Sequence, residues 1–376
     1  MDPRYRIDDV SHLLSPGLVV YRDLVLQNIR RMIEMAGGVA RLRPHCKTHK
    51  MAEVTKLELE LGITKHKAAT IAEAEMLAAA GAPDVMISYP IVGPNIGRVA
   101  ELIRQFPETR FSVVADHPTP LKALSEAMSA AGLRVGVFLE VNPGRDRTGI
   151  PLGPEAKALY AAICQSPGLT PAGLHVYDGH IVEPAFDARD SVIRKHWDNV
   201  LAFRASLKAE GYPVPAIVCG GSPQFGVYTH IEGTGVEGTS IELSPGTCVL
   251  HDAGYDKYPE MQCFTPAALV LTRVISRPTP NRVTFDVGNK AIASDPPMGN
   301  RLVLPDIPDA VQVLHNEEHL VVETADAAKW TPGDWTLAIP KHICPTSAVH
   351  RFAYVIADGK LLGEWEVTAR DRRLTI

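Results

Sequence analysis

The sequence predicts an α/β fold, a (β/α)8 TIM-type barrel followed by a C-terminal all-β domain. Eight short β-rich runs alternate with helix-like stretches over roughly the first 245 residues, an order typical of parallel strands joined by right-handed crossovers. From about Ala267 the pattern changes to alternating apolar and polar segments broken by Pro, Gly, Asn and Asp. The chain of 376 residues is also longer than one hydrophobic core usually supports, which favours two domains.

The barrel half is predicted from two interleaved sets of segments. The eight strands are expected at 41–45, 66–69, 85–88, 111–114, 135–140, 173–176, 216–219 and 240–243. The clearest helices are expected at 51–61, 71–80, 95–106, 118–131, 154–164 and 191–210. The last crossover, 221–239, has a weak helical pattern and is rich in Gly, so an open doubly wound sheet stays an alternative.

The second half is predicted from strands alone. They are expected at 269–276, 282–287, 311–314, 320–323, 335–339, 352–356 and 364–368. We therefore divide the chain into a barrel domain, residues 1–246, and a β domain, residues 247–376. Residues 1–20 could join the β domain.

Composition narrows the class of protein and of partner. Hydrophobic residues make up 45% of the chain and charged residues 22%, as in ordinary globular proteins. The formal net charge of −5 offers no basic surface for nucleic acid or an anionic membrane, so we expect neither partner. No stretch approaches the roughly 18 apolar residues of a membrane helix, and the first residues do not resemble a signal or transit peptide. The six scattered cysteines favour reduced thiols and a cytoplasmic protein.

Polar residues follow the predicted barrel strands, where a barrel enzyme builds its active site. They are His45, Lys47, Thr48, His49, Lys50, Thr70, Asn142, Arg145, Arg147, Tyr177, Asp178, His180, Gly220, Gly221 and Ser222. We expect these residues to converge on one mouth of the barrel. Tyr255 and Asp252, from the start of the second half, could approach the same mouth.

Lys47 lies just past the first predicted strand, in the segment Arg-Pro-His-Cys-Lys-Thr-His-Lys (43–50). A fixed backbone there could hold the amine toward the barrel axis, where an unprotonated lysine can form an imine. Taken alone, the segment also fits a solvated loop. The other polar residues expected at the same mouth favour the imine.

Two Gly-rich segments bear on phosphate binding. Cys-Gly-Gly-Ser (219–222) follows a predicted strand and could offer backbone N–H groups and a hydroxyl to a phosphate, although it also fits an ordinary tight turn. The segment 233–238 matches G-x-G-x-x-G, but it follows no clear strand and precedes no helix. It therefore lacks the context of a dinucleotide site.

His342 and Cys344 are spaced two residues apart in Lys-His-Ile-Cys-Pro (341–345). On an extended segment both side chains would face one side and could bind one soft or borderline cation. Two ligands are fewer than a structural zinc site uses, so positions would stay open for substrate or water. The pair also fits a chance spacing without a metal.

Five separated motifs, taken in order, resemble the D-threonine aldolase and D-serine dehydratase family. They are Arg-Pro-His-Cys-Lys-Thr-His-Lys (43–50), Asn-Pro-Gly-Arg-Asp-Arg-Thr-Gly (142–149), Tyr-Asp-Gly-His (177–180), Gly-Gly-Ser (220–222) and His-Ile-Cys-Pro-Thr (342–346). The family comprises pyridoxal-phosphate enzymes of the alanine-racemase-like fold type. The resemblance implies a barrel, a C-terminal β domain, pyridoxal 5′-phosphate, a divalent metal and a homodimer.

The resemblance also implies roles for the matching residues. The implied cofactor-binding residues are Lys47, His45, Arg147, Tyr177, Gly220, Gly221 and Ser222. Lys47 would be the Schiff-base lysine, and His180 a second catalytic residue. His342 and Cys344 would bind the metal, and the thiolate favours zinc, with manganese and magnesium as alternatives.

The expected substrate is a D-β-hydroxy-α-amino acid, and two lyase reactions stay open. His180 resembles the base of the aldolases and favours cleavage of Cα–Cβ to glycine and an aldehyde, whereas Cys344 is typical of the dehydratases. If Lys47 instead removes the Cα proton, elimination gives a 2-oxo acid and ammonia, as with D-serine or 3-hydroxyaspartate. A racemase or a non-catalytic pyridoxal-phosphate-binding protein could share the barrel, but the second half with its metal pair favours a lyase.

A polar run in the second half could serve a partner subunit. It contains Asp286, Lys290, Ser294 and Asp295, and it fits either a solvated loop or a segment that closes a partner's active site.

Overall fold

A parallel sheet forms the first half of the chain. The computed structural model describes residues 2–231, 235–236 and 238–376, with the backbone alone for 235–236; the Gly-rich segment 233–238 lies partly outside these residues. The strands of this sheet are β2 (Lys65–Ala68), β3 (Asp84–Pro90), β4 (Arg110–Ala115), β5 (Val135–Val141), β6 (Leu169–Val176), β7 (Ala216–Cys219), β8 (Gly235–Val236) and β9 (Thr239–Leu243). They are hydrogen-bonded in this order except that β9 lies between β7 and β8, and β8 alone runs antiparallel to its neighbour.

The segment 42–45 closes the sheet into a barrel. The Arg43 N–H donates to the Leu243 carbonyl at 2.8 Å, on the last long strand, and the Lys67 N–H donates to the Pro44 carbonyl at 2.8 Å, beside β2. This segment is therefore the first of eight parallel barrel strands. The predicted closed barrel is confirmed, and the open doubly wound sheet is excluded.

Helices connect the barrel strands. They are α1 (Arg22–Ala36), α2 (Ala52–Glu60), α3 (Ile71–Ala79), α4 (Asn95–Gln105), α5 (Pro118–Ala130), α6 (Pro154–Gln165), α7 (Phe186–Ala209) and α8 (Ser222–His230). The six predicted helices agree with α2 to α7 within a few residues. The segment after residue 221, which has a weak helical pattern, contains α8. The helix starts with Ser and Pro and includes further polar residues, so its apolar residues do not recur at clear helical spacing. No helix in the described parts of the chain is both long and apolar enough to span a membrane.

A mostly antiparallel sheet forms the second half. Its strands are β1 (Gly17–Tyr21), β10 (Ala268–Thr279), β11 (Arg282–Phe285), β12 (Leu302–Val303), β13 (Val311–His315), β14 (Leu320–Glu323), β15 (Trp335–Pro340), β16 (Phe352–Ala357) and β17 (Lys360–Glu366). The main path is β13-β14-β11-β10-β1-β16-β17, and β15 pairs with β10 and β12. The expected all-β second half is confirmed as a mostly antiparallel sheet domain, although it also contains a short helix, α9 (Ile343–Val349), between β15 and β16.

The strand β1 belongs to this second sheet although it precedes the whole barrel. It pairs antiparallel with β10 and parallel with β16, and all five of its residues are buried. We accordingly propose that residues 17–21 join the second domain, and the division near residue 246 stays a prediction.

The barrel interior is packed below its mouth. Met86, Val114, Phe138, Ala216 and Val218 form an apolar layer from strands β3, β4, β5 and β7. Such a layer makes the barrel a solid core, so any site must lie at an end of the barrel.

A buried ionic network lies at the opposite end of the barrel from the polar mouth. Arg43 is 2% exposed, and its guanidinium lies 2.7 Å from the Asp84 carboxylate and 2.6 Å from the Glu242 carboxylate. Lys65 also lies 2.6 Å from Glu242. Although burial raises the pKa of Asp84, the Arg43 charge lowers it further, so the pKa stays below its ordinary value. The charges are therefore mutually compensated.

Replacing Arg43 with Met is expected to lower the free energy of unfolding by about 3 kcal/mol, because it leaves two carboxylates buried without their main partner. Arg31→Met, which removes an exposed pair with Glu34, is the control and should cost less than about 0.5 kcal/mol. Urea unfolding followed by circular dichroism measures both changes. Equal, small losses for the two variants would contradict a supporting role of the network.

Candidate active site

A cavity of about 370 Å³ opens at the C-terminal ends of the barrel strands, a size suited to a small cofactor and substrate. Its walls are formed by His45, Lys47, Lys67, Ala69, Ser88, Tyr89, Pro90, Arg147, Thr148, His175, Tyr177, Gly221, Ser222, Ser244, Gly246, Thr247 and Tyr255. Six of the seven cofactor-binding residues expected from the sequence are in this set; Gly220 adjoins it through Gly221. The structure thus gathers these residues at one mouth.

Lys47 reaches this cavity from a short turn. The first barrel strand ends at His45, and a 3-10 turn (Cys46–Thr48) follows directly. The His45 Nδ1 accepts a hydrogen bond from the Lys47 backbone N–H at 3.3 Å, which fixes the start of the turn. Burial, together with nearby lysines, holds the pKa of His45 well below its ordinary value, so the ring is neutral and able to accept.

Tyr177 presents an aromatic face beside Lys47. The Lys47 Nζ lies 5.8 Å from the ring centroid, and the Arg147 guanidinium carbon lies 4.8 Å from it. The ring packs against Gly221, where an added Cβ would lie only 3.0 Å from the Tyr177 Cε2. Glycine at 221 therefore lets the edge of the ring approach the turn, and the ring offers a surface on which a planar aromatic ligand can stack.

The turn after β7 forms a polar cup with the end of β9. Gly220 has φ of +70°, a conformation that favours glycine, and α8 begins at Ser222 with Gly221 as its N-cap. The Ser222 Oγ accepts hydrogen bonds from the backbone N–H groups of Gly246, at 3.1 Å, and Thr247, at 2.9 Å. Two strand ends are thereby joined around the N-terminus of α8, which is an arrangement suited to an anion such as phosphate.

Three buried polar residues at the floor of the cavity were missed by the sequence reasoning. Lys67, Glu140 and His175 lie within strands β2, β5 and β6, and each is less than 5% exposed. The Lys67 Nζ lies 3.4 Å from the His175 Nε2, and the His175 Nδ1 is hydrogen-bonded to Glu140. The sequence does contain a signal for them. Buried parallel strands are usually continuous apolar runs, and a charged residue or a histidine inside such a run is therefore unusual.

The loops after β3 and β9 add further residues that the sequence reasoning did not select. Ser88, Tyr89 and Pro90 form one wall, and Ser244, Gly246 and Thr247 form another. Tyr255 also lines the cavity and accepts a hydrogen bond from the Thr247 hydroxyl at 3.3 Å, so the expectation that it approaches the mouth is met. Asp252 is buried nearby, but it accepts the Ile343 N–H and does not line the cavity.

His342 and Cys344 lie beside the cavity, but not on an extended segment. His342 is the N-cap of α9, and Cys344 is in its first turn, because Asp252 accepts the Ile343 N–H at 2.8 Å and the chain turns there. The Cys344 Sγ lies 3.2 Å from the Thr48 hydroxyl and 3.7 Å from the Thr247 hydroxyl. The expected alternation along an extended strand is wrong, yet the helix start still brings the two side chains together.

The charges of this pair support each other. Burial opposes ionisation of both groups, but their hydrogen bond raises the pKa of His342 to about 9 and lowers the pKa of Cys344. Asp295 adds to the first effect, with its carboxylate 2.5 Å from the His342 Nδ1. A histidine nitrogen held by a carboxylate leaves the other nitrogen to bind a metal, and a thiolate is a soft donor, so this donor set fits a cation such as zinc.

The polar run that contains Asp295 contacts its own chain. Asp286 accepts hydrogen bonds from Ser15 and Thr272, and Lys290 lies 2.8 Å from Glu317. Asp295 holds His342. The run is therefore anchored within the subunit.

His180 lies outside the walls of the cavity. It is half-buried in the loop after β6, where an added Cβ on Gly144 would lie 3.6 Å from its Nε2. Its Nδ1 is buried and has no hydrogen-bond partner among the described residues. The role of His180 as catalytic base stays a prediction, and it requires the side chain to turn toward the cavity.

A second group of possible metal ligands lies behind the cavity. His45, Cys46 and Glu73 bring their donor atoms within 4.8 Å of one another. Glu73, however, is ion-paired with Lys50 and accepts the Ala69 N–H at 2.5 Å. The oxygens of Glu73 are thus already engaged by Lys50 and Ala69.

Comparison with known protein families matches both halves of the chain. Residues 20–236 match the family described as alanine racemase, N-terminal domain, which covers more than half of the sequence. The chain belongs to this family. Residues 267–356 match the family described as putative serine dehydratase domain.

Proteins with named activities resemble this chain along nearly its whole length and theirs. D-threonine aldolase from Arthrobacter sp is 29% identical over 98% of this chain and 94% of the relative. 3-hydroxy-D-aspartate aldolase from Paracoccus denitrificans is 28% identical over 97% and 94%. The crystal structure of D-threonine aldolase from Filomicrobium marinum superposes with a TM-score of 0.86, at 29% identity, over 95% of both chains. The family expected from the five motifs, and the class of enzyme, are confirmed.

Proposed function

We propose that this protein is a pyridoxal-phosphate- and divalent-metal-dependent lyase that acts on D-β-hydroxy-α-amino acids. Its principal reaction is the retro-aldol cleavage of D-threonine-like substrates to glycine and an aldehyde. One observation carries the proposal: a lysine amine, an aromatic face and an anion cup share a cavity, and the Cys344 Sγ lies 3.7 Å from Thr247, a residue of its wall. The activities of the two aldolase relatives support the same reaction.

The residues present fit pyridoxal phosphate. Tyr177 offers the stacking surface, Lys47 the amine, and Gly221, Ser222 and Thr247 the cup for the phosphate. When bound, the cofactor supplies an electron sink for the carbanion that forms at Cα. Glycine at 221 leaves room for Tyr177 beside the turn, and the Ser222 hydroxyl holds the Gly246 and Thr247 backbone around the place where the phosphate would bind.

The residues beside the cavity fit a divalent cation held by His342 and Cys344. When bound, the cation supplies a Lewis acid for the β-hydroxyl group of the substrate. Asp295 keeps the His342 ring in one orientation, and the Thr48 hydroxyl lies 3.2 Å from the Cys344 sulfur, where it can donate to a thiolate. We propose zinc as the first choice, with manganese and magnesium as alternatives.

Proton movements then decide the reaction. For cleavage, His180 would take the proton of the β-hydroxyl group at its imidazole nitrogen, which is well suited to a neutral histidine close to neutral pH. For elimination, the Lys47 amine would take the Cα proton, and the β-hydroxyl group would leave as water. The dehydratase reaction is the second candidate, and the family match of residues 267–356 together with the thiol at position 344 favours it.

A product assay separates the two reactions. Purified protein with pyridoxal phosphate and zinc or manganese is offered D-threonine, D-serine and D-3-hydroxyaspartate in parallel. Glycine and an aldehyde in equal amounts establish the aldolase, and a 2-oxo acid with ammonia establishes the dehydratase. L-threonine serves as the control for stereochemistry. No product from any D-amino acid would contradict both proposals.

Tyr177→Ala is expected to weaken the affinity for pyridoxal phosphate about tenfold, because a stacked ring contributes roughly 1 kcal/mol beyond its buried area. Tyr177→Phe keeps the ring and should bind nearly as tightly as the unchanged protein. Fluorescence titration of the cofactor-free protein measures both affinities. If both variants lose affinity equally, the hydroxyl and not the ring holds the cofactor.

The quaternary structure and location belong to the same proposal. We propose a homodimer located in the cytoplasm, with a small D-amino acid as the ligand and neither nucleic acid nor membrane as a partner. All six cysteines are free in the structure, in keeping with a reducing compartment. Light scattering of the purified protein tests the dimer.

A further inference from the structure

The amine of Lys67 is buried at the floor of the cavity with a single partner. The residue is 2% exposed and lines the cavity, and among the described residues the only hydrogen-bond partner of its side-chain amine is the His175 Nε2, at 3.4 Å. An ammonium group can donate three hydrogen bonds. Two of its donor positions are therefore left for something inside the cavity when the amine is protonated, and one when it is neutral.

His175 and Glu140 fix the direction of this amine. Glu140 lies beside His175 in the register of β5 and β6, and its carboxylate is hydrogen-bonded to the His175 Nδ1. A ring that donates from Nδ1 to a carboxylate presents Nε2 as an acceptor, so His175 receives one hydrogen of Lys67. The Thr148 hydroxyl, on the cavity wall, donates to Glu140 at 3.2 Å. Lys67, His175, Glu140 and Thr148 thus form one continuous hydrogen-bonded chain.

The placement of Lys67 is costly for the empty protein. Burial lowers the pKa of Lys67 to about 7, and the positive charge of Lys47 acts in the same direction. A buried amine with one neutral partner destabilises a fold relative to an apolar side chain of the same shape. Such a residue is retained where a ligand compensates it, and the Lys67 Nζ lies 6.0 Å from the Tyr177 ring centroid, close to the proposed cofactor surface.

We propose that Lys67 is a cofactor-binding residue, a second amine that donates a hydrogen bond to a polar atom on the pyridine ring of the bound cofactor while His175 and Glu140 hold it in place. This inference rests on the proposed function, since it requires pyridoxal phosphate in the cavity. The two lysines then have different roles. Lys47 forms the covalent bond to the cofactor, and Lys67 donates a hydrogen bond to the pyridine ring of the cofactor.

Pyridoxine 5′-phosphate is the probe that isolates this contact, because it has the ring and the phosphate but no aldehyde and so cannot bond covalently to either lysine. Its dissociation constant is measured by titration calorimetry on the full, cofactor-free chain. Lys67→Met, similar in shape but unable to donate, is expected to weaken binding about 10- to 100-fold. Lys67→Arg, which keeps donors, should recover part of the loss.

Two further measurements distinguish a contact from a structural role. Inorganic phosphate, which occupies only the cup, should bind Lys67→Met as it binds the unchanged protein. The melting temperature of cofactor-free Lys67→Met should be unchanged or higher, because a costly buried amine has been removed. Lys56→Met, at an exposed position on α2, is the control and should leave every value unchanged.

Each failure has its own meaning. If the unchanged protein binds neither pyridoxine phosphate nor pyridoxal phosphate, the proposed function fails, and the inference fails with it. If the unchanged protein binds both and Lys67→Met binds pyridoxine phosphate equally well, the inference alone is overturned. A loss of phosphate affinity and of melting temperature in both Lys67→Met and Lys67→Arg would also overturn it, since Lys67 would then only support the fold.

Discussion

Lys47→Ala is expected to lower kcat/KM for the D-amino-acid substrate by about 10³-fold or more, because it removes the amine proposed to bond the cofactor. The chain cannot easily replace this amine: the 3-10 turn after the first barrel strand sets its position, and His45 holds the start of that turn. The change should leave the fold intact, since Lys47 is only half-buried. Steady-state assay of product formation measures the loss, and circular dichroism checks the fold.

Chemical trapping identifies the lysine independently of activity. Borohydride reduction of the loaded protein should attach the cofactor irreversibly to Lys47, and peptide mapping by mass spectrometry locates it. Lys56→Ala is the matched control and should behave as the unchanged protein. Label on Lys67 in the unchanged protein would contradict the assignment and would exchange the roles of the two amines.

Cys344→Ala and His342→Ala are each expected to reduce activity about 10²- to 10³-fold and to lower the bound metal below one equivalent per chain. The two donors lie at the start of one short helix, so loss of either leaves a single protein ligand. Elemental analysis by plasma mass spectrometry gives the metal content, and product assays give the activity. Treatment with a chelator should reproduce the loss in the unchanged protein, and added zinc or manganese should reverse it.

The matched control for the thiol is Cys164→Ala, which changes a free cysteine on α6 that does not line the cavity. It should retain both metal and activity. Full activity of Cys344→Ala in the presence of chelator would remove the metal from the proposal while leaving the cofactor assignment in place.

The barrel was predictable because its strands and helices each carry their own local period. The helix predicted at 71–80 is observed at Ile71–Ala79. Thr70 is its N-cap, and the Thr70 hydroxyl accepts a hydrogen bond from the Glu73 N–H. Lys47, Tyr177 and Ser222 were predictable for a second reason: they follow strands directly, and the ends of parallel strands meet at one rim.

Contacts between distant parts of the chain were not predictable in this way. The side chain of Lys67, on β2, contacts that of His175, on β6, across the barrel interior. No local sequence pattern predicts a contact between these two strands. The helix α9 begins at Ile343, next to Cys344. Its start depends on Asp252, some ninety positions earlier in the chain, which accepts the Ile343 N–H. The orientation of His180 depends likewise on the packing of its loop, which the motif Tyr-Asp-Gly-His does not specify.

The position of β1 has a consequence for biosynthesis. Leu18 pairs with Val270 and Ala353, so this strand is made early but meets β10 and β16 only after the whole barrel has left the ribosome, on the order of tens of seconds later. Until then β1 is an apolar strand that can pair with other chains, and it is attached to a barrel that can already fold. The charged residues directly after it, Arg22 and Asp23, oppose such aggregation. Chains interrupted after the barrel but before β10 should therefore be prone to aggregation, even though their barrel half is complete.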